Sequence, residues 1–214
     1  ANASARRRSP PAGTAPRRPT GWSRRASGWR GGARVDLEVR GPERIALLGA
    51  NGAGKTTLLE TIVGAFAPPA GTVAPAVPLR YLPQRLDVLD DAGTVVGNVA
   101  RLAPGASDNA VRARLARFLF RGARADRVVG TLSGGERFRA TLAALLLAEP
   151  APQLLLLDEP TNNLDLASTG QLAQALAAYR GALLVASHDL PFLRTIGITR
   201  WLRLEGRLTP IDPP

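Results

Sequence analysis

Residues 49–57 read GANGAGKTT, and Gly49 to Thr56 fit the pattern G-x-x-x-x-G-K-[ST]. Glycines at this spacing let backbone N–H groups wrap around a phosphate, and a helix that begins here adds the positive end of its dipole. Lys55 supplies a cation, and the Thr56 hydroxyl can bind Mg²⁺. The stretch therefore predicts a phosphate-binding loop. Its candidate contact residues are Gly49, Asn51, Gly52, Gly54, Lys55, Thr56 and Thr57.

Lys55 is the only lysine in the chain, and the other 27 of its 28 lysine and arginine residues are arginines. An ammonium group on a flexible stem can reach between two phosphates inside a tight loop, whereas a wide planar guanidinium fits there poorly. Arginine therefore occupies all the remaining positions of this kind, and lysine is kept at the one position where replacement by arginine should fail. The rare residue supports the interpretation of this loop as a phosphate site.

Two acids follow the apolar run LLLL of residues 154–157. Asp158 can hold Mg²⁺ through its water shell, and Glu159 can polarise an attacking water. Open α/β sheets bind ligands at the carboxyl ends of their strands, so both acids are expected beside the phosphate loop. An acid pair at the end of a strand can also be an ordinary helix cap, and the combination with the phosphate loop favours the catalytic interpretation.

His188 is the only histidine in the chain and follows the apolar run LLVAS. A lone histidine is more often structural than catalytic. This one ends a strand that is predicted to lie beside the strand of the two acids, and that placement would let its ring reach a terminal phosphate.

The stretch LSGGE, from Leu132 to Glu136, predicts the start of another helix. Ser133 is a plausible N-cap, while Gly134 and Gly135 leave the backbone bare. An ordinary capped helix is one interpretation. The other is a second phosphate-binding surface, because a helix N-terminus with exposed amides attracts anions.

These groups need strands and helices that alternate along the chain, which predicts a layered, mostly parallel α/β sheet. Apolar runs or alternating patterns predict strands at 35–39, 45–49, within 77–85, at 153–160 and at 181–189. Helical patterns are predicted at 55–62, 107–121 and about 134–148. In the second helix Ser107 or Asp108 would be the cap, with Leu115, Phe118 and Leu119 on one face.

The composition excludes several classes of site, and most of the net positive charge lies in one segment. The absence of cysteine excludes disulfides and thiolate metal sites, and one histidine excludes a multi-histidine metal site. No apolar run is long enough for a transmembrane helix, and no secretory signal is visible. The net charge is +11, of which eight arginines without any acid lie in residues 1–32. That segment is predicted to be a disordered Arg/Pro/Gly-rich tail or a linker remnant, and 33–214 the ordered domain.

The order of the motifs resembles that of an ABC-type ATPase domain, over residues of about 33–210. The resemblance rests on GANGAGKTT, Gln84 in YLPQR, LSGGE, LLLLDEP, NNLD at Asn162–Asp165, and His188 in ASHD. It implies an α/β phosphate-loop NTPase fold with a mostly parallel central sheet, a small antiparallel β part and a short helical subdomain at about 90–131. It also implies ATP and Mg²⁺ as ligands, hydrolysis of ATP to ADP and phosphate, and a metal site at Thr56, Gln84 and Asp158.

The same resemblance assigns the second phosphate surface to a partner. The signature residues Leu132, Ser133, Gly134, Gly135 and Glu136 would face the ATP held by another such domain, and Asp165 would lie at the contact between the domains. Gln84 would sense the nucleotide and its metal. Activity without a second ATPase domain, either a missing half or a second copy, is expected to be weak or absent.

DEPTNNLDL followed by SHD-x-x-FL is similar to the soluble ABC-F branch, and most similar to the second domain of such a protein. This implies a cytoplasmic protein that acts on the ribosome or its RNA, in translation or in antibiotic resistance by target protection. The family's adenine-stacking aromatic has no clear counterpart, since only Trp22 or Trp29 precedes the phosphate loop. The alternatives are the ATP-binding subunit of an ABC membrane transporter, with a separate transmembrane partner, and a non-hydrolysing RNA-binding module.

Overall fold

The computed structural model of the protein describes residues 35–162 and 164–214. The predicted tail at residues 1–32, with Trp22 and Trp29, lies outside the described residues, as does Asn163 in the NNLD motif.

A six-stranded sheet organises the described chain, in the strand order β2-β3-β4-β1-β5-β6. Every neighbouring pair is parallel except β5 with β6. This arrangement confirms the predicted α/β class with a mostly parallel sheet and a small antiparallel part. The strands are β1 Arg44–Leu48, β2 Leu79–Leu82, β3 Leu154–Asp158, β4 Ala182–Ala186, β5 Arg200–Leu204 and β6 Leu208–Ile211.

Helices cover both faces of the sheet, which explains why β3 and β4 are buried along their whole length. One face packs against the leucines of α1, and the other packs against α4, α5 and α6. The helices are α1 Lys55–Ile62, α2 Val95–Leu102, α3 Asp108–Leu115, α4 Gly134–Leu146, α5 Leu166–Ala178 and α6 Leu190–Thr195.

The chain between β2 and α4 forms a helical layer with a core of its own. Thr94 caps α2 and Ser107 caps α3, and short 3-10 turns follow at 116–118, 122–126 and 129–131. Buried valines of both helices and alanines of α4 share one cluster, so α4 connects this layer to the sheet. The boundary of a separate subdomain at about 90–131 stays a prediction.

Two predictions of local structure are wrong. Residues 35–40 form no strand, although Val35, Leu37 and Val39 are half-buried against the α1 face of the sheet. The alternation of apolar and polar residues therefore indicates which side chains are buried, and not a strand. The Glu38 carbonyl accepts a hydrogen bond from a side chain, Arg200 Nη1, at 3.0 Å.

The helix predicted over 107–121 ends at Leu115 and continues only as a 3-10 turn through Phe118. Leu119 then adopts a left-handed backbone with φ of 67°, which stops the helix and leaves its side chain 45% exposed. Phe120 is buried in its place, with its N–H donated to the Leu115 carbonyl at 3.2 Å. The periodic pattern put the wrong residue on the buried face.

Candidate functional site

The predicted phosphate loop connects β1 to α1 at the carboxyl edge of the sheet. Gly49 is required by space, because a Cβ atom there would lie 2.6 Å from the carbonyl oxygen of Leu204 in β5. Gly54 has a φ of 98° and caps α1 without any side-chain hydrogen bond. The N-terminus of α1 thus presents bare backbone amides toward the loop, the arrangement that favours an anion.

Lys55 is folded into the loop. It is only 7% exposed, and its Nζ donates hydrogen bonds to the carbonyls of Gly49 at 2.7 Å and Ala50 at 3.3 Å. These carbonyls offset the burial of the ammonium group. The charge is therefore held inside the loop, where the backbone amides also converge.

Asp158 ends β3 and Glu159 follows it, and the surroundings of the two acids differ. Asp158 is buried at 1% exposure, with Oδ2 accepting a hydrogen bond from Tyr81 at 3.3 Å and Oδ1 without a hydrogen-bond partner among the described residues. Glu159 has a φ of 45°, a left-handed backbone that is uncommon outside glycine, and its N–H donates to the Ala186 carbonyl at 2.7 Å. This turn directs the chain away from β3 immediately after the buried carboxylate.

Glu159 and His188 meet Lys55 in one group. Glu159 Oε1 lies 3.3 Å from Nε2 of His188 and 3.9 Å from Nζ of Lys55, which itself is 3.0 Å from Nε2. The contact follows from the strand order, since β4 lies between β1 and β3 and brings His188 between the loop and the acid. The expectation that the histidine lies beside the acid strand is confirmed by this pairing.

An open cleft of about 550 Å³ collects the predicted ligand-binding residues. Gly49 lies at the base of the same loop, and Gln84 reaches the cleft from the segment after β2. Among the residues that line the cleft, Thr161, Asn162 and Asp189 were assigned no role there by the sequence. The predicted residues in its lining are Asn51, Gly52, Gly54, Lys55, Thr56, Thr57, Gln84, Asp158, Glu159 and His188.

Tyr81 is the neighbour of Asp158 that sequence reasoning missed. Burial, and then the negative charge of Asp158, raise the pKa of the Tyr81 hydroxyl far above its usual range. The same two causes raise the pKa of Glu60, which faces Asp158 from α1. The sequence carries no signal for this contact, which follows from the register of β2 with β3 in the structure.

The LSGGE residues lie elsewhere, at the start of α4, and do not line the cleft. Ser133 and Glu136 form a capping box: the Ser133 N–H donates to Glu136 Oε2 at 3.0 Å, and the Glu136 N–H donates to Ser133 Oγ at 3.3 Å. Arg127 adds an ion pair to Glu136 Oε1 at 2.6 Å. Gly134 has open space where a Cβ would stand, so its backbone faces solvent. The cap prediction for Ser133 is confirmed, and the predicted role toward a second nucleotide remains a prediction.

Asp165 lies next to that surface through the packing of α4 against α5. It caps α5 by accepting the N–H of Ser168 at 2.7 Å, a bond that holds the pKa of its carboxyl below the usual value. A Cβ on Gly135 would come within 2.9 Å of Ser168 Oγ, so the two helix starts lie against each other. Leu166, the next residue, is 92% exposed.

Phosphate and Mg²⁺ both fit the residues of the cleft. The loop offers amides and an ammonium group, and the unpartnered Oδ1 of Asp158 is a hard oxygen donor of the kind Mg²⁺ prefers. Fold and cleft together define the class of protein: a phosphate-loop nucleotide-binding domain of the doubly covered, mostly parallel type.

The chain belongs to the ABC transporter family, whose model matches residues 33–162. It is 41% identical over 165 residues to "Probable ATP-binding protein YheS" of Haemophilus influenzae, covering 76% of this chain and 26% of that protein. It is 34% identical over 181 residues to "ATP-binding cassette sub-family F member 3" of Mus musculus, covering 83% and 25%. The chain thus spans about a quarter of the length of the curated relatives it matches. These relatives agree with the ABC-F resemblance found in the sequence.

Solved structures give the same fold. A chain described as "RNase-L Inhibitor" superposes with a TM-score of 0.67 at 27% identity, over 85% of this chain and 38% of that one. A bacterial Atm1-family ABC exporter with ATP bound gives a TM-score of 0.68 at 25% identity, over 81% and 34%. In the described part of the chain, no helix is long and apolar enough to cross a membrane.

Proposed function

We propose that residues 33–214 form an ATPase domain that binds ATP with Mg²⁺ in the cleft and hydrolyses it when paired with a second such domain. One observation carries this proposal: the phosphate loop, Gln84, both acids and His188 line a single cleft, in which one buried carboxylate oxygen has no hydrogen-bond partner within residues 35–162 and 164–214. A structural carboxylate would have its lone pairs satisfied by the protein.

The phosphate loop would hold the triphosphate through its amides and through Lys55. In the present structure the ammonium group is held by two loop carbonyls, so it needs only a side-chain rotation to reach a phosphate oxygen. Lys55 is the first residue of α1, so its compact ammonium group lies close to the helix N-terminus, which explains why lysine is used at this position. The charge of Lys55 and the α1 dipole act on the same anion.

Mg²⁺ would be held by the Thr56 hydroxyl, by Asp158 and by Gln84. When bound, Mg²⁺ supplies charge neutralisation and orientation of the phosphates. Asp158 contributes a full negative charge in a water-poor position at 1% exposure, where an electrostatic contact is stronger than at the surface. Gln84 is exposed and lies on the segment between β2 and the helical layer, so it can follow the ligand.

Glu159 and His188 would act on the hydrolytic step. The carboxylate of Glu159 would orient and polarise the attacking water, and His188 would contact the terminal phosphate. Nε2 of His188 contacts Lys55 and Glu159 at the same time. Once Lys55 turns to the phosphates, this nitrogen is free to serve the ligand or the acid.

A second ATPase domain would complete the site, because the LSGGE surface is separate from the cleft of its own chain. Its exposed helix start, with the bare backbone of Gly134, suits the phosphates of a neighbouring site. Asp165 would lie at the same contact, beside the exposed Leu166. The partner is either a second copy of this chain or another domain of the same protein.

The whole protein would work in the cytoplasm as an ABC-F factor that acts on the ribosome or its RNA, in translation or in antibiotic resistance. Similarity to a protein named for sub-family F supports this over a transporter subunit. The test is co-sedimentation of the protein with ribosomes, with and without ATP. ATP-dependent sedimentation would support the ribosomal role, whereas capture by a transmembrane partner without ribosome binding would favour the transporter.

The ATPase proposal is tested with Glu159→Gln, which should keep ATP binding and abolish hydrolysis in the presence of the second domain. Fluorescent-nucleotide binding and phosphate release are the two measurements. Glu38→Gln is the matched control, since its side chain is 68% exposed and forms an ion pair with Arg40, two residues further along the chain. Full hydrolysis by Glu159→Gln, or a folded chain that binds no ATP, would contradict the proposal.

A further inference from the structure

Asp158 presents two carboxylate oxygens in different states. Oδ2 accepts a hydrogen bond from the Tyr81 hydroxyl at 3.3 Å, while Oδ1 is buried and has no hydrogen-bond partner in the part of the chain that the structure describes. Hydrogen bonds offset the free-energy cost of burying a carboxylate, so a single donor on one oxygen fixes the orientation of the group. That donor is Tyr81.

The register of the sheet places Tyr81 at this point. Tyr81 pairs with Leu156, and Asp158 lies two residues further along β3, on the same face. Both Tyr81 and Leu156 belong to the cluster that packs against α1, the helix that begins at the phosphate loop. The hydroxyl therefore approaches the carboxylate from the side of the sheet that carries the loop.

Tyr81 acts as a neutral donor here. A tyrosine hydroxyl is uncharged at neutral pH, so it donates to the carboxylate at 3.3 Å without adding a charge of its own. It also carries no positive charge that would compete with a cation for the carboxylate.

We propose that Tyr81 is a positioning residue for the metal site, which holds Oδ2 of Asp158 so that Oδ1 is left for Mg²⁺. This inference rests on the proposed function, in which Asp158 faces the metal. Residues that orient a ligand through a hydrogen bond are worth roughly 10- to 100-fold in metal affinity. A bond of 3.3 Å is long for a hydroxyl donor, so the effect is expected at the lower end.

The experiment measures the affinity of the purified chain for a fluorescent ATP analogue in Mg²⁺ and in EDTA. The ratio of the two dissociation constants reports the contribution of the metal, and a general loss of stability cancels in it. Tyr81→Phe removes the hydroxyl and keeps the ring. Tyr179→Phe is the matched control, because the only other tyrosine donates to the Pro152 carbonyl at 2.8 Å, at the opposite edge of the sheet.

Tyr81→Phe is expected to reduce the gain from Mg²⁺ by about 10-fold and to leave the affinity in EDTA unchanged. Tyr179→Phe should behave as the natural chain. Asp158→Asn should abolish the gain from Mg²⁺, and adding Tyr81→Phe to it should change nothing more, because the hydroxyl acts through the carboxylate.

Two results would overturn the inference, and they are distinguishable. If Tyr81→Phe keeps the full gain while Asp158→Asn loses it, Tyr81 has no positioning role and the metal role of Asp158 stands. If Asp158→Asn also keeps the full gain, the proposed metal site is wrong and the role of Tyr81 falls with it.

Discussion

The ammonium nitrogen of Lys55 lies 3.0 Å from Nε2 of His188, although one residue opens α1 and the other follows β4. An ammonium group only donates hydrogen bonds, so Nε2 is the acceptor in the tautomer that makes this contact. Glu159 faces the same nitrogen at 3.3 Å. The lone lysine and the lone histidine of the chain therefore share one contact.

Lys55→Arg is expected to weaken ATP binding by about 10-fold or more, although the charge is kept. The side chain is 7% exposed and enclosed by the carbonyls of Gly49 and Ala50, so a guanidinium must displace the loop. Titration with a fluorescent ATP analogue measures the effect. Arg117→Lys, the reverse exchange on an exposed side chain, is the control and should bind normally. Equal affinity of Lys55→Arg and the natural chain would contradict this account of the loop.

Gly49→Ala is expected to lower the free energy of unfolding by about 1–3 kcal/mol and to impair ATP binding as well. A methyl group there meets the Leu204 carbonyl oxygen at 2.6 Å, so either the loop or β5 must move. Denaturant unfolding and nucleotide titration measure the two effects. Gly170→Ala, within α5 and with open space around its Cα, should be neutral or slightly stabilising. A stable Gly49→Ala protein that binds ATP normally would show that the loop tolerates a side chain.

The elements that carry the cleft could be predicted from the sequence because their signals are local. The apolar run before Gly49 and the run before Asp158 are short, continuous and followed by polar residues, which is the pattern of a parallel strand buried on both faces. The cap at Ser133 likewise depends on residues within one turn. Family membership and the α/β fold are confirmed by independent comparisons, whereas the roles of the individual site residues stay predictions.

What could not be predicted depends on contacts between distant residues. The donor on Asp158 comes from Tyr81, 77 positions earlier in the chain, and only the register of β2 with β3 reveals it. The end of α3 depends on Phe120 taking the buried place that periodicity gave to Leu119. The segment at Val35 looked like a strand because its side chains alternate in burial, but pairing of the backbone is a separate requirement.

Arg44→Met is expected to destabilise the fold by about 2–4 kcal/mol, since four backbone carbonyls lose a side-chain donor. Its guanidinium donates to the carbonyls of Leu176, Ala177 and Tyr179 at the end of α5, and to that of Ile196 after α6. Arg44→Lys should recover only part of the loss, because an ammonium cannot span the same carbonyls.

Thermal and denaturant unfolding measure the effect of Arg44→Met. Arg40→Met is the matched control: its side chain is 78% exposed and pairs with Glu38 at the surface, so little change is expected. If both variants unfold alike, the carbonyls at the end of α5 are satisfied without Arg44.

Glu136→Gln is expected to destabilise the protein at neutral pH, and the difference should vanish in acid. The hydrogen bond from the Ser133 backbone, and then the charge of Arg127, hold the pKa of Glu136 below its ordinary value of 4.5. A carboxyl whose pKa is lower in the folded state stabilises the fold above its unfolded pKa and loses that contribution as pH falls through the folded pKa. Below that pH both proteins carry a neutral group at the start of α4.

The measurement is the free energy of unfolding of both proteins between neutral pH and pH values below 4.5, with Glu38→Gln as an exposed control. A constant difference over this range would mean that the charge of Glu136 does not contribute to the capping box.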